Sequence, residues 1–481
     1  MNRGFNGLLW NSLEKVTYQI TSLASNMILA RLLMPTDFGL IALMSVFINM
    51  TDTIVMGGYR QTLIIKSHLK EVDVSTSFVY NMAMSLALYC VMAFTAPYIA
   101  VFYREPKLIS LIRVLGLVNV LNAGYFVQDS LMQRDMMFKA LAIRSILSSA
   151  VSGIIGVLFA MLGFGVWSLV FMTLSRSIVI NIYLWLQRIW RFNLHFSWLS
   201  FKKDFSFGSR LMLTQITGVF LNNINSLIIG KFYNKADLGY YYQADKLKRI
   251  PTESAVGIIS KTYIPLLSCN KENIGELNSV YRQSIKMAAA VIIPIVVLLI
   301  LVGGDLILLL FSDKWLNSIP MFNILVFGSM FAPFIVINGT SPAIMGDSKA
   351  YLRIDTVYKA MLLVAISVAV PFGLKALIIT QAAFSLIQMT GNAFVARRYF
   401  RVSLRSQLSL YAPFFLYAGI SAIGVVLINV FSTLPLVLNL VVKALAYIFI
   451  FSIVVRFIDP SLFLTMKKAT LHFLHKLIRR S

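Results

Sequence analysis

Residues 287–304 read MAAAVIIPIVVLLILVGG, eighteen positions without a charge or a side-chain amide. An α-helix rises about 1.5 Å per residue, so roughly 20 apolar residues cross the hydrocarbon of a bilayer. Followed outward, this run extends over 284–310, and comparable runs recur on both sides of it. They fall near 9–31, 38–58, 77–102, 108–128, 139–162 and 166–188, then 206–231, 237–266, 318–343, 350–372, 374–396, 409–431 and 434–457. The pattern predicts an all-α polytopic membrane protein with about fourteen transmembrane helices. The first segment and 237–266 are unusually polar, so twelve is the nearest alternative count.

Composition agrees. The 481 residues are 58% hydrophobic and 13% charged, against about 25% charged in soluble domains. The net charge of +24 would suit nucleic acid in a soluble chain. In a membrane protein it reads as Lys and Arg collected in the cytoplasmic loops, and no nucleic-acid partner is expected. Cys90 and Cys269 give neither a disulfide framework nor a metal spacing. Asn11, Glu14 and Lys15 interrupt the first apolar stretch, and no small-residue cleavage site follows, so a cleavable signal peptide is not expected.

With the N-terminus inside, the cytoplasmic stretches hold about 27 Lys and Arg and the opposite side about seven. Arg188, Arg191, Lys202 and Lys203, then Arg397, Arg398, Arg401 and Arg405, stand on the first side; Arg31, Arg104, Lys231 and Lys314 on the other. Both termini are therefore expected in the cytoplasm, and the short outer loops leave no room for a soluble domain there. After Pro460, apolar residues at helical spacing alternate with Lys467, Lys468, Lys476, Arg479 and Arg480, which suits either a basic amphipathic helix on anionic lipid or a solvated basic tail.

The chain echoes itself. Residues 28–39, ILARLLMPTDFG, match 228–239, IIGKFYNKADLG, with Arg31 and Lys231, Asp37 and Asp237, and Gly39 and Gly239 in register. A fainter echo pairs 165–169, GVWSL, with 373–377, GLKAL. An offset of about 200 residues spans six predicted helices, so the two copies run parallel. The expected organisation is a six-helix lobe over 1–190, a cytoplasmic connection over 191–205, a second six-helix lobe over 206–400, two additional helices over 401–458 and the tail over 459–481. Convergent helix-turn-helix chemistry would produce a similar echo without a true repeat.

Charges at bilayer depth face a cavity or one another. The deepest here are Arg176, the cluster Asp245, Lys246, Lys248, Arg249 and Glu253, then Asp355 with Lys359, and Lys443. Asp245, Arg249 and Glu253 stand at i, i+4 and i+8 on one face, while Lys246 and Lys248 are expected to project elsewhere. Glu14, Lys15, Asp52 and Arg113 lie nearer helix ends, where snorkelling is easy. A self-neutralised ladder of ion pairs would explain the cluster without function, but the deep set is richer in bases than in acids. Arg176, Lys246, Arg249 and Lys359 are therefore the candidate lining for an anionic substrate. Asp52, Asp245 and Asp355 are the candidates for carrying a coupling cation.

Enzyme chemistry has no foothold. His68, His195, His472 and His475 fall in loops or the tail, and no Gly-rich phosphate loop, G-x-S-x-G or H-E-x-x-H occurs. No cofactor or metal is expected.

The stretch Ala30-Arg31-Leu32-Leu33-Met34-Pro35-Thr36-Asp37-Phe38-Gly39 resembles the Wzx-type oligosaccharide flippases, in the colanic-acid exporter-like branch of the polysaccharide transporter family. Gln133-Arg134-Asp135 with Phe138-Lys139, then Gly163-Phe164-Gly165-Val166-Trp167-Ser168-Leu169, Ile229-Gly230-Lys231-Phe232-Tyr233 and Asp237-Leu238-Gly239-Tyr240-Tyr241 carry the likeness, with Asn338 and Gly346 further on. It covers roughly 5–400. Membership of that family, within the multidrug/oligosaccharidyl-lipid/polysaccharide (MOP) exporter superfamily, would imply two lobes and alternating access. The implied activity is export of an undecaprenyl-diphosphate-linked oligosaccharide across the bacterial inner membrane, driven by a proton or sodium ion, with a polysaccharide polymerase as a possible partner. The family offers no fixed functional residues to transfer, so the site candidates rest on burial and charge alone. The rivals are a drug or metabolite antiporter of the same superfamily and, from another class, a membrane lipid-linked sugar polymerase or ligase.

Overall fold

The computed structural model describes residues 2–56, 59–66, 68–191, 193, 195–430 and 434–460. The basic tail, with His472 and His475, lies outside the described residues, as does Phe431. Among the described residues every regular element is helical.

The chain divides into two compact units, Met1–Tyr242 and Gln243–Ser481. The first contains α1 (Asn2–Leu32), α2 (Pro35–Met56), α3 (Tyr59–Ile65), α4 (Glu71–Phe102), α5 (Lys107–Leu115), α6 (Leu117–Arg134), α7 (Phe138–Met161), α8 (Val166–Leu186), α9 (Trp198–Phe232) and the start of α10 (Lys235–Cys269). The second holds the rest of α10, then α11 (Ile274–Phe311), α12 (Ser318–Ser329), α13 (Ala332–Gly339), α14 (Ser341–Ile344), α15 (Ser348–Ala369), α16 (Leu374–Phe400), α17 (Leu404–Val430) and α18 (Leu436–Ile458).

Ten of these segments are long and apolar enough to cross a membrane, counting Lys107–Arg134 and Ser318–Ile344 as single spans. Helices α1, α9, α10 and α16 run for 31, 35, 35 and 27 residues but fall outside that group. Their polar side chains lower the mean hydropathy while leaving length for a crossing.

The apolar runs mark the helices, but not their breaks. The run near 108–128 divides at Gly116 and continues to Arg134, and 318–343 divides into three helices. The region after α2, read as loop, contains α3, whose Tyr59 and Leu63 are buried in an aromatic cluster with Phe78, Tyr80 and Trp190. The turn after α3 is tied down by Lys66, which pairs with Asp73 at 2.9 Å and Asp204 at 3.2 Å. Burial alone would lower its ammonium pKa, but the two carboxylates prevail and raise it.

Both echoes have a structural counterpart. In unit 1 the first turns of α2 and α10 cross so closely that a Cβ on Gly39 would meet the Lys235 carbonyl, and one on Gly239 the Pro35 carbonyl. The reciprocity at a spacing of 200 gives each glycine a steric reason. Gly165 and Gly373 both precede a helix at positive φ, 55° and 93°, where an L side chain is strained. In unit 2, α11 packs against α12, α17 and α18. Lys443 of α18 bonds Asp305 of α11 at 2.6 Å, with both side chains largely buried.

Candidate functional site

The polar residues of α6 recur at Asn122, Tyr125, Asp129 and Gln133, spacings that keep one face of a helix towards the interior of unit 1. Asp129, 3% exposed, is the centre. Its carboxylate pairs with Arg60 of α3 and Arg144 of α7 and accepts from Gln133 Nε2 at 2.9 Å. Arg144 also reaches Glu14 of α1 at 3.4 Å, and Ser145 Oγ donates to the same carboxylate at 2.6 Å. A buried carboxylate between two guanidiniums is satisfied only while both remain.

Arg176 of α8 stands differently. Its Nη1 donates to the Tyr18 hydroxyl at 2.8 Å, and its guanidinium carbon lies 4.6 Å from the centre of the Tyr18 ring. Asp52 of α2 accepts from Asn122 Nδ2 at 3.2 and 3.0 Å, one contact to each oxygen, and Asn122 Oδ1 accepts from Ser177 Oγ at 2.9 Å. Among the described residues, neither Arg176 nor Asp52 has an oppositely charged side chain in ion-pairing range. The Tyr125 hydroxyl lies within electrostatic reach of Asp52, Arg60, Arg144 and Arg176. The cluster therefore joins a charge-balanced core, Arg60–Asp129–Arg144–Glu14, to one cation and one carboxylate outside its ion pairs. Such an arrangement can receive an anion at Arg176 and a proton at Asp52.

The sequence-derived candidates fall into three groups. Arg176 and Asp52 meet in this cluster. On α10, in unit 2, Asp245 accepts from Lys248 at 2.6 Å and Arg249 at 2.7 Å, and Arg249 Nη1 lies 3.9 Å from Glu253. Lys248 thus does not project away from the ladder. At i+3 it shares the Asp245 face, and a buried carboxylate draws in both cations it can reach. Lys246 is half-buried on the same helix. On α15, Asp355 and Lys359 pair at 2.6 Å, and Asp355 lines a cavity of about 190 Å³ with Thr340, Tyr358, Gln388 and Asn392.

Sequence reasoning missed Arg60, Asp129 and Arg144. Arg60 fell in a presumed loop, and Asp129 lay one residue beyond the estimated end of its helix. The one-face stripe Asn122, Tyr125, Asp129 and Gln133 was the signal that could have found them. Among the described residues no group of His, Cys, Asp and Glu is placed to hold a metal ion.

A family model described as "Polysaccharide biosynthesis protein" matches residues 28–320. The succinoglycan biosynthesis transport protein ExoT of Rhizobium meliloti (strain 1021) is 24% identical over 66% of this chain and 64% of its own length, a little under two thirds. The teichuronic acid biosynthesis protein TuaB of Bacillus subtilis (strain 168) is 22% identical over 92% of this chain and 94% of its own. Among solved structures, the lipid II flippase MurJ in an inward closed conformation matches with a TM-score of 0.75 at 14% identity, over 94% of this chain and 99% of that one. A multidrug resistance MATE family transporter of the MOP superfamily, in an inward-facing conformation, matches at 0.63 and 15% identity, over 80% and 94%. At these identities the likeness to solved structures establishes the fold.

Proposed function

Since this chain belongs to the polysaccharide biosynthesis protein family, we propose that it moves a lipid-linked oligosaccharide across the bacterial inner membrane, with Arg176 receiving the anionic diphosphate of the carrier lipid. The observation that carries the reading is the buried cluster in unit 1, where Arg176 meets a tyrosine rather than a carboxylate. A diphosphate in low dielectric needs cations whose charge is not already answered. Arg60 and Arg144 share Asp129, so Arg176 is the guanidinium that can turn to a phosphate without stranding a partner. Lys246 on α10 is a further candidate cation in this reading. Arg249 and Lys359, each bonded to a carboxylate on its own helix, would have to exchange that partner for substrate.

Coupling belongs in the same cluster. Asp52 is held by a neutral amide, so it can gain and lose a proton without breaking an ion pair. Asp245 and Asp355 are engaged by cations and are weaker carriers. ExoT and TuaB are named for the biosynthesis of succinoglycan and teichuronic acid and MurJ for the flipping of lipid II, which supports this class of cargo.

The test measures surface polysaccharide and lipid-linked precursor in cells whose own copy is replaced by Arg176→Ala. The expected result is precursor accumulating on the cytoplasmic side, little surface glycan, and protein abundance near that of wild type. Surface glycan at wild-type level would remove Arg176 from the substrate path.

A further inference from the structure

The turn between α6 and α7 carries Gln133-Arg134-Asp135-Met136-Met137-Phe138-Lys139, and only part of it serves the charged cluster. Gln133 orients Asp129, and Arg134 Nη1 donates to the Leu63 carbonyl at 3.2 Å. The remainder faces an open-sided cavity of about 810 Å³, lined also by Trp10 of α1 and Tyr183 of α8. Lys139, Arg134 and Asp135 are its charged lining residues, and the Lys139 ammonium lies 5.8 Å from the centre of the Trp10 ring. Met136 and Ile143 line it and are both exposed, Met136 the more so.

Depth identifies what reaches this cavity. Trp10 stands 22 residues from the end of α1 at Leu32, and Lys139 stands 22 from the end of α7 at Met161. At about 1.5 Å per residue, each lies roughly 33 Å from the far ends of those helices. The hydrocarbon is about 30 Å thick, so the cavity opens where acyl chains give way to phosphates. Tryptophan and tyrosine beside lysine and arginine are the residues that anchor at that level. Two cations against one carboxylate leave the lining positive, which selects for an anionic head group.

We infer that this cavity binds an anionic phospholipid of the surrounding leaflet. The phosphodiester lies against Lys139 and Arg134, a head-group hydroxyl donates to Asp135, and the first acyl carbons run along Met136 and Ile143. This lipid is a resident of the protein's edge rather than its cargo, so the inference does not depend on the transport reading.

The test uses the full-length protein in phosphatidylcholine vesicles containing a small fraction of brominated phosphatidylglycerol, phosphatidylethanolamine or phosphatidylcholine. Bromine quenches tryptophan on contact, and the fluorescence lost in Trp10→Phe isolates the Trp10 contribution from the other five tryptophans. Brominated phosphatidylglycerol should quench that contribution at a several-fold lower mole fraction than the other two lipids. Lys139→Gln should reduce the preference about fivefold, the effect of one lysine near an anionic surface. Lys139→Arg should retain it, which separates loss of charge from loss of fold. Equal quenching by all three lipids, or an undiminished preference in Lys139→Gln, would overturn the inference.

Discussion

Two charged residues in the same cluster have opposite expected phenotypes, because one is in ion pairs and the other is not. Asp129 answers both Arg60 and Arg144. Asp129→Asn leaves Arg60 without a carboxylate and Arg144 with Glu14 alone, and breaking a buried pair typically costs about 3–5 kcal/mol. The variant should show reduced abundance and a lower thermal midpoint, read by quantitative immunoblot and by unfolding in detergent. Arg176→Ala strands no carboxylate, so its stability should stay within about 1 kcal/mol of wild type while export fails. Asp52→Asn keeps the amide contact to Asn122 and removes the titrating proton. In vesicles, substrate movement by that variant should lose its dependence on an imposed pH gradient. A gradient response equal to wild type would exclude Asp52 as the proton carrier. Arg176 was visible in the sequence because a charge deep inside an apolar run is conspicuous. Asp52, like Arg60, Asp129 and Arg144, lies near the end of a run, where snorkelling explains a charge equally well.

Helices report themselves through apolar runs, whereas their crossings depend on backbone contact, which composition does not encode. The tight approach of α2 and α10 left one trace, a glycine at position 39 and another 200 residues later. Alanine at either position should destabilise the protein by about 1–3 kcal/mol, the usual range for overpacking a tight contact. Once one Cβ has spread the helices, a second meets less resistance. The double variant Gly39→Ala/Gly239→Ala should therefore fall short of the sum of the singles in thermal unfolding. Additive losses would mean that the two glycines do not share one contact. A second element-level device sits at the start of α15, where Asp347 accepts from the Ala350 amide at 2.9 Å and the Tyr399 hydroxyl at 2.7 Å. These bonds, led by the backbone amide, hold its carboxyl below the usual carboxylate range. A depressed pKa stabilises the folded state above the ordinary carboxylate value, and the contribution is lost as pH falls through the folded value. Wild type and Asp347→Ala should accordingly differ in melting temperature at pH 7 and converge as the pH falls below about 4. A difference that persists unchanged in acid would assign the stabilisation to something other than the carboxylate.

At the scale of the whole chain, a count of fourteen asks whether the polar helices α9 and α10 cross the membrane, as α1 and α16 must also do. Contacts within unit 1 constrain the answer. Lys235, at the start of α10, pairs with Glu105 between α4 and α5, and Lys231, at the end of α9, donates to the Phe102 carbonyl at 2.6 Å. Gly239 lies against Pro35, at the turn between α1 and α2. Three turns, near residues 34, 105 and 234, thus share one face. The distribution of basic residues predicts the first two of them on the outside. If the α9–α10 turn is there too, both helices cross. In a chain with Cys90 replaced by alanine, Cys269 at the end of α10 becomes an internal reporter, and it is exposed. An impermeant maleimide added to intact cells should label Arg104→Cys and Asn234→Cys. It should spare Lys202→Cys and Cys269 until the membrane is permeabilised. Labelling at position 104 with none at 234 would mean that neither α9 nor α10 crosses, two fewer than the fourteen expected. Labelling of Cys269 from outside would invert the second half of the chain. Polarity alone could not decide the crossing, because the side chains that lower the hydropathy of α10 include the Asp245, Lys248 and Arg249 network, whose charges are answered along the helix itself.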